Sequence, residues 1–282
     1  MNIATKFKNL VTDKNSEAIL LPVVHDAITG KIAENLGYKA VSVGGFAISG
    51  VIYGLPDVGL LSLTDMESVI KHIVTSVNIP VFADADGGYG NERNVAHTIK
   101  TYEKTGVASL FIEDQKHPKR CGHMNGKELI TTEEMVLKIQ SAVKARENPD
   151  FMICARTDAI AVEGFDNAIK RAKLFINAGA DIIFIEAPET LEQLKKIPEI
   201  ITEVPLLVNM LEGGKTPLCS RKQLEELRYK IIAYPVTTLF SAIKASQNSL
   251  KYLKENGETQ LLIPNMIGFD EYKKLIKLED YI

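Results

Sequence analysis

The chain has 282 residues, 45% of them hydrophobic, enough for one large domain or two small ones. A formal charge of -3 gives no electrostatic case for nucleic acid or an anionic membrane surface. No apolar run of about 18 residues predicts a membrane span, and the first residues lack a secretory signal. Cys121, Cys154 and Cys219 are too widely spaced for a disulfide framework or a zinc site, so a cytoplasmic protein is expected.

Short apolar segments alternate with amphipathic ones along the whole chain. A strand at 19–24 precedes a helix at 30–35, and a strand at 40–43 precedes a helix at 64–76. Strand and helix then follow at 81–83 and 91–104, 109–112 and 132–146, 152–155 and 165–178. The last units are 182–185 with 191–200, 206–208 with 221–226, and 231–233 with 238–254, before a final helix at 269–280. Thr64-Asp65-Met66-Glu67 and Thr131-Thr132-Glu133-Glu134 resemble helix starts with acidic first turns. Gly37, Gly106 and Gly179 fall where helices should stop.

Eight β-then-α units predict a (β/α)8 TIM barrel, in the α/β class. No linker or shift of composition divides the chain, so residues 1–282 are read as one domain with a C-terminal helical extension. A doubly wound open sheet is the alternative, because periodicity does not show closure. The final helices exceed what a barrel needs and are expected to cover its bottom or pack on another subunit.

Catalytic groups on such a barrel gather at the C-terminal ends of the strands. Those positions hold Gly44-Gly45, Asp84 and Asp86, Glu113, Arg156 and Asp158, Glu186, Asn209 and Tyr234-Pro235. Asp84 and Asp86, two apart, lie on one side of an extended chain. Oxygen ligands without thiolates or paired histidines suit Mg²⁺ or Mn²⁺, with Glu113 and Asp57 completing the shell through water. The competing role for the Asp pair is capping turns and helix starts.

Arg156 is placed to grip a substrate carboxylate bidentately, or to pair with Asp158 or Glu186. Asn209 and the Gly213-Gly214-Lys215-Thr216-Pro217 loop read as a second anchor, without the glycine spacing of a phosphate-binding loop. The stretch from Glu113 to His123 packs carboxylates, cations, a thiol and a histidine behind an apolar strand, an expensive place for charge unless something pairs it. Cys121 lies among Lys119, Arg120 and His123, cations expected to lower its pKa. Gly122 lets the loop move over a ligand. Proton transfer and nucleophilic attack both remain open for that thiol, whereas Cys154, inside a strand, reads as inert packing. No Gly-x-Ser-x-Gly supports a hydrolase triad.

Gly54-Leu55-Pro56-Asp57, Asp84-Ala85-Asp86, Ile112-Glu113-Asp114-Gln115 and Lys119-Arg120-Cys121-Gly122-His123 resemble motifs of the isocitrate lyase and phosphoenolpyruvate mutase superfamily. Ala155-Arg156-Thr157-Asp158, Glu186-Ala187 and Asn209 to Pro217 extend the resemblance over nearly the whole chain. The Lys-Arg-Cys-Gly-His loop is similar to the lyase branch. The resemblance implies a Mg²⁺-dependent barrel, commonly a homotetramer of dimers that exchange their last barrel helix. It implies cleavage of the C2–C3 bond of a 2-hydroxy di- or tricarboxylate, 2,3-dimethylmalate- or 2-methylisocitrate-like. The products are a 2-oxo acid such as pyruvate and a second carboxylic acid.

On this resemblance Asp84 ligates the metal, with Asp57, Asp86 and Glu113 behind its waters. Gly44, Gly45, Arg120, Gly122, Arg156, Glu186 and Asn209 hold substrate. Cys121 protonates the departing carbanion, with His123, Arg156 and Glu186 also in the catalytic group. Ser42 replaces the tyrosine expected beside the substrate in methylisocitrate lyases. The run from Asn209 to Pro217 looks closer to lyases of substituted malates, and Phe46 fills space that a third carboxylate would use. The alternatives are an oxaloacetate hydrolase, disfavoured by Pro235 where a serine is expected, and a phosphonomutase, disfavoured by the intact loop. A non-catalytic binding barrel is the remaining one.

Overall fold

The computed structural model describes residues 2–282. It opens with a helix that the sequence reading missed, α1 (Ile3–Thr12). Eight strands follow: β1 (Ile19–Pro22), β2 (Val41–Val43), β3 (Val81–Asp84), β4 (Ser109–Glu113), β5 (Met152–Thr157), β6 (Ile182–Ile185), β7 (Leu206–Asn209) and β8 (Ile231–Tyr234). Between them lie α2 (Ala27–Asn35), then α3 (Gly45–Ile48) running into a wider π turn over Ser49–Tyr53, then α4 (Leu63–Ser76) and α5 (Glu92–Thr105). Next come α6 (Thr132–Ala145), α7 (Ile160–Glu163), α8 (Phe165–Asn177), α9 (Leu191–Ile200) and α10 (Arg221–Glu226). The chain ends with α11 (Thr237–Asn256) and α12 (Phe269–Leu275), each followed by a short 3₁₀ turn.

Most helix starts fall within a residue or so of the sequence signals, but α2 begins three residues earlier than expected and α12 stops at Leu275 rather than 280. Ser62 and Asp65 form a reciprocal capping box ahead of α4, and Thr131 and Glu134 do the same for α6. All strand pairs are parallel, in the order β1-β8-β7-β6-β5-β4-β3-β2. A parallel bridge from Val23 to Ser42 joins the two ends, so the sheet closes into the expected barrel rather than an open sheet. Strands buried on both faces explain the uninterrupted apolar runs.

Alternation along each strand separates two apolar cores. Val81, Ala83, Leu110, Ile112, Ile153 and Ile183 face the helices. Phe82, Phe111, Cys154, Phe184 and Leu207 face the barrel axis. Two residues beyond each of these inward positions stand Asp84, Glu113, Arg156, Glu186 and Asn209. One period therefore places an apolar floor and, one layer above it, a ring of polar groups at the C-terminal mouth.

The bottom of the barrel is closed by α1, not by the final helices. Phe7, fully buried, stacks on Phe82 at 5.8 Å, which stacks on Phe111 at 5.8 Å, which meets Phe184 edge-on at 6.0 Å. This aromatic column ties the plug to the floor of the mouth. Of the 20 residues of α11 only Leu239 is buried, while Phe240, Ile243, Leu250 and Leu253 are exposed. α12 packs against α2 and buries Leu275.

Phe7→Ala is expected to cost about 3–5 kcal/mol, because it empties a fully enclosed aromatic site. Urea unfolding monitored by circular dichroism measures this. A loss below about 1 kcal/mol would show that α1 does not plug the barrel.

Candidate active site

Four buried carboxylates, Asp57, Asp84, Asp86 and Glu113, converge on one ammonium, that of Lys119. Lys119 Nζ lies 2.5 Å from Asp57 Oδ1 and 2.8 Å from Asp86 Oδ1. Glu113 Oε1 is buried without a hydrogen bond among the described residues, and Asp86 Oδ1 has only the ion pair with Lys119. Asp84 is held from both sides. The Gly45 N–H donates to its Oδ2 (2.9 Å), the Asp86 N–H to its Oδ1 (2.8 Å), and Tyr102 Oη to its backbone carbonyl (3.1 Å). A Cβ on residue 45 would stand 3.3 Å from Asp84 Oδ2 and 3.4 Å from Lys119 Nζ, so glycine keeps the backbone this close.

Too much negative charge is buried with too few cations. Burial pushes the Asp86 carboxyl up to about 7 despite Lys119, with Asp84 and Asp57 adding repulsion. Burial also lifts Glu113 well above its ordinary range, against the pull of Arg156 and Lys119. A divalent cation would relieve both, and an all-oxygen set suits Mg²⁺ or Mn²⁺. No three of these side chains converge at direct ligand distance among the described residues, which fits an ion keeping most of its waters.

Arg156 pairs in register with Glu113 across β4 and β5. Its guanidinium forks onto Asp158 (2.9 and 3.1 Å) and approaches Glu113 (3.4 Å) and Glu186 (3.3 Å). It rests over the Phe111 and Phe184 rings at 5.6 and 5.2 Å. The bidentate grip anticipated for substrate is thus made on Asp158, through Nε and Nη2. Although burial pushes Asp158 up, Arg156 and Lys127 bring it down to about 2.

Glu186 accepts from the Ala187 N–H (2.9 Å) and Asn209 Nδ2 (3.4 Å), with His123 Nε2 3.2 Å from its Oε1. Burial would raise its pKa, but Arg156 and then His123 outweigh this and keep it ionised. Ala187 is left-handed at φ +55°, a strained conformation for alanine that directs the chain away just after Glu186. Asn209 Oδ1 is buried without a partner among the described residues.

The loop after β4 closes over these groups. Gly122 lies directly on Arg156 and Glu186; a Cβ there would be 2.6 Å from Glu186 Cγ. Close approach, as well as mobility, demands this glycine. Lys127, which sequence reasoning passed over, donates to the Gly122 carbonyl and to Asp158 Oδ1 (2.9 Å). Asp114, also missed, accepts from Thr157 Oγ1 (2.7 Å) and the Asp158 N–H (2.9 Å). Its place in the Ile-Glu-Asp-Gln run was the available signal. His123 Nδ1 accepts the Lys215 N–H (3.0 Å), which joins the Gly213–Pro217 loop to the catalytic one, while its Nε2 stays at ion-pair distance from Glu186 without a hydrogen bond among the described residues.

Two expectations change in detail. The Gly45 N–H is committed to Asp84, and Arg120 is exposed at the rim, where Nη1 donates to the Asn125 carbonyl (3.3 Å). Cys121 was expected to have a lowered pKa. Instead burial pushes its thiol up, with Asp57 and Glu186 adding repulsion, against the pull of the His123 N–H and Arg156. A neutral thiol is a proton donor, not a nucleophile in waiting. Gly44, Cys121, Gly122, Arg156, Glu186 and Asn209 all line one cavity of about 80 Å³, room for one small acid.

Residues 7–254 match the family described as phosphoenolpyruvate phosphomutase. The chain is 45% identical over 279 residues to 2,3-dimethylmalate lyase of Eubacterium barkeri, covering 99% of this chain and 96% of the relative. It is 41% identical over 265 residues to 2-methylisocitrate lyase of Aeropyrum pernix, covering 94% and 85%. The crystal structure of 2,3-dimethylmalate lyase in its trigonal form superposes with a TM-score of 0.93 at 31% identity, covering 99% of this chain and 93% of that one.

A raised pKa removes thiolate at neutral pH. Alkylation of Cys121 by iodoacetamide at pH 8 is expected to be at least about tenfold slower than that of a free thiol, and still climbing beyond pH 9. Peptide mapping by mass spectrometry reads it. A rate already flat below pH 8 would mean that the thiol is ionised.

Proposed function

The chain belongs to the phosphoenolpyruvate phosphomutase family and is a carbon–carbon lyase of the isocitrate lyase type, and on that premise we propose that it cleaves the C2–C3 bond of a 2-hydroxy carboxylate with the aid of Mg²⁺. The substrate is 2,3-dimethylmalate- or 2-methylisocitrate-like, and the products are pyruvate or a similar 2-oxo acid and a second carboxylic acid. One observation carries this reading: the half-buried thiol of Cys121, whose pKa burial raises, lines the same cavity as Asp57, Asp84 and Glu113 of a carboxylate cluster short of positive charge.

Asp84 would hold the ion, with Asp57, Asp86 and Glu113 around its waters; bound there, Mg²⁺ supplies Lewis-acid stabilisation of the 2-oxygen. Arg156, fixed by Asp158 and Glu186, directs positive charge at the carboxylate end of the substrate. The C2 hydroxyl gives its proton to a carboxylate of the cluster, Glu113 being the one with an unpartnered oxygen in the cavity. As the C2–O bond becomes a carbonyl the C2–C3 pair leaves with C3, the adjacent carboxylate delocalises it, and the Cys121 thiol delivers a proton to that carbon, leaving a thiolate. Gly122 and His123 close the loop over the site and exclude water.

No described helix is long and apolar enough to cross a membrane. Three free cysteines suit a cytoplasmic enzyme. The exposed Phe240, Ile243, Leu250 and Leu253 along α11 support a homotetramer in which neighbouring copies cover one another's last barrel helix, a mass that light scattering would report.

A lactate-dehydrogenase-coupled assay with Mg²⁺ tests the reaction on 2,3-dimethylmalate, 2-methylisocitrate and oxaloacetate. Pyruvate is expected from one 2-hydroxy acid and is lost with EDTA. Oxalate and acetate from oxaloacetate alone would make the protein a hydrolase instead. Cys121→Ser is expected to keep the melting temperature and metal binding but lose about 10²–10⁴-fold in turnover; near-normal turnover would remove Cys121 as proton donor. Asp84→Ala should abolish Mg²⁺ binding by calorimetry, and an unchanged affinity would refute the ligand assignment.

A further inference from the structure

The substrate cavity has two unlike halves. One carries all of its charge. The other is a wall made by Val23 just after β1, by Phe46 and Ala47, and by Pro235 and Val236 ahead of α11. Val23, Ala47 and Leu239 form a small apolar cluster of their own, separate from both barrel cores, and Phe46 packs on it. Phe46 meets Phe240 edge-on at 6.4 Å, and Thr238 Oγ1 donates to the Val23 carbonyl (2.7 Å), docking α11 on the mouth. The ring of Phe46 follows directly from Gly45, whose N–H is tied to Asp84, so it is fixed next to the reacting end of the cavity.

No cation serves this wall. Lys119 is engaged by Asp57 and Asp86, and Arg156 by Asp158, Glu113 and Glu186. Arg120 lines the cavity from the exposed rim, on the loop side, with its Nη1 on the Asn125 carbonyl, and His123 lies between Lys215 and Glu186. A third carboxylate against Phe46 would be buried unpaired, at high cost. An alkyl branch there would be buried against apolar surface at a gain.

We propose that Phe46 is the specificity-determining residue, selecting alkyl-branched dicarboxylates and rejecting tricarboxylates; this rests on the lyase reading for the reaction but is carried by the wall itself. Because Phe46 lies outside the two barrel cores, its replacement leaves the fold intact, which a melting curve verifies.

Calorimetry with Mg²⁺ and unreactive diacids tests recognition apart from turnover. The wild-type protein is expected to bind 2,3-dimethylsuccinate at least tenfold more tightly than propane-1,2,3-tricarboxylate. In Phe46→Ala the preference for dimethylsuccinate over succinate should fall about tenfold. In Phe46→Arg, which sets a cation in the wall, the tricarboxylate should become the tighter ligand. Equal or tighter binding of the tricarboxylate by the wild type overturns the proposal, as does an unchanged dimethylsuccinate-to-succinate ratio in folded Phe46→Ala. If these preferences hold and no 2-hydroxy acid is cleaved, the wall assignment stands and the lyase reading falls.

Discussion

Asp57, Asp84, Asp86 and Glu113 share one buried ammonium at the mouth of the barrel, and the rest of the site is arranged around that imbalance. Charge of one sign cannot be concentrated in a low-dielectric enclosure without either protonation or a counter-ion. Asp86 moves toward protonation, while Lys119 is drawn out of its loop into the cluster. The same pull brings the loop over the cavity, because Cys121 follows Lys119 by two residues. A divalent ion would complete the balance without disturbing the apolar floor beneath.

That floor makes the geometry rigid. Phe7, Phe82, Phe111 and Phe184 run from the plug helix to the underside of Arg156 in an unbroken series of ring contacts. Strands β3 to β7 each send an apolar side chain into this layer and a polar one into the layer above, so packing and chemistry are two rungs of the same ladder. The polar ring is then cross-braced by Asp114, Thr157, Asp158 and Lys127, none of which needs to touch a substrate to fix those that do.

Asymmetry across the cavity gives it direction. Cations and hydrogen-bond donors occupy one half, and the apolar wall of Val23, Phe46, Ala47 and Val236 the other. An incoming acid is therefore oriented by what the wall lacks as much as by what the opposite side offers.

The sequence by itself determined the order of the eight strands and of the helices between them, and the strand-end residues, since these follow from local periodicity. It also marked the loop from Lys119 to His123. Only the tertiary structure decided four other matters. The sheet closes through Val23 and Ser42, and α1 rather than the final helices seals the bottom. Arg156 spends its fork on Asp158. The Cys121 thiol is raised rather than lowered, because burial outweighs the cations around it. Each of these depends on groups far apart in the chain or on burial, and periodicity carries no information about either.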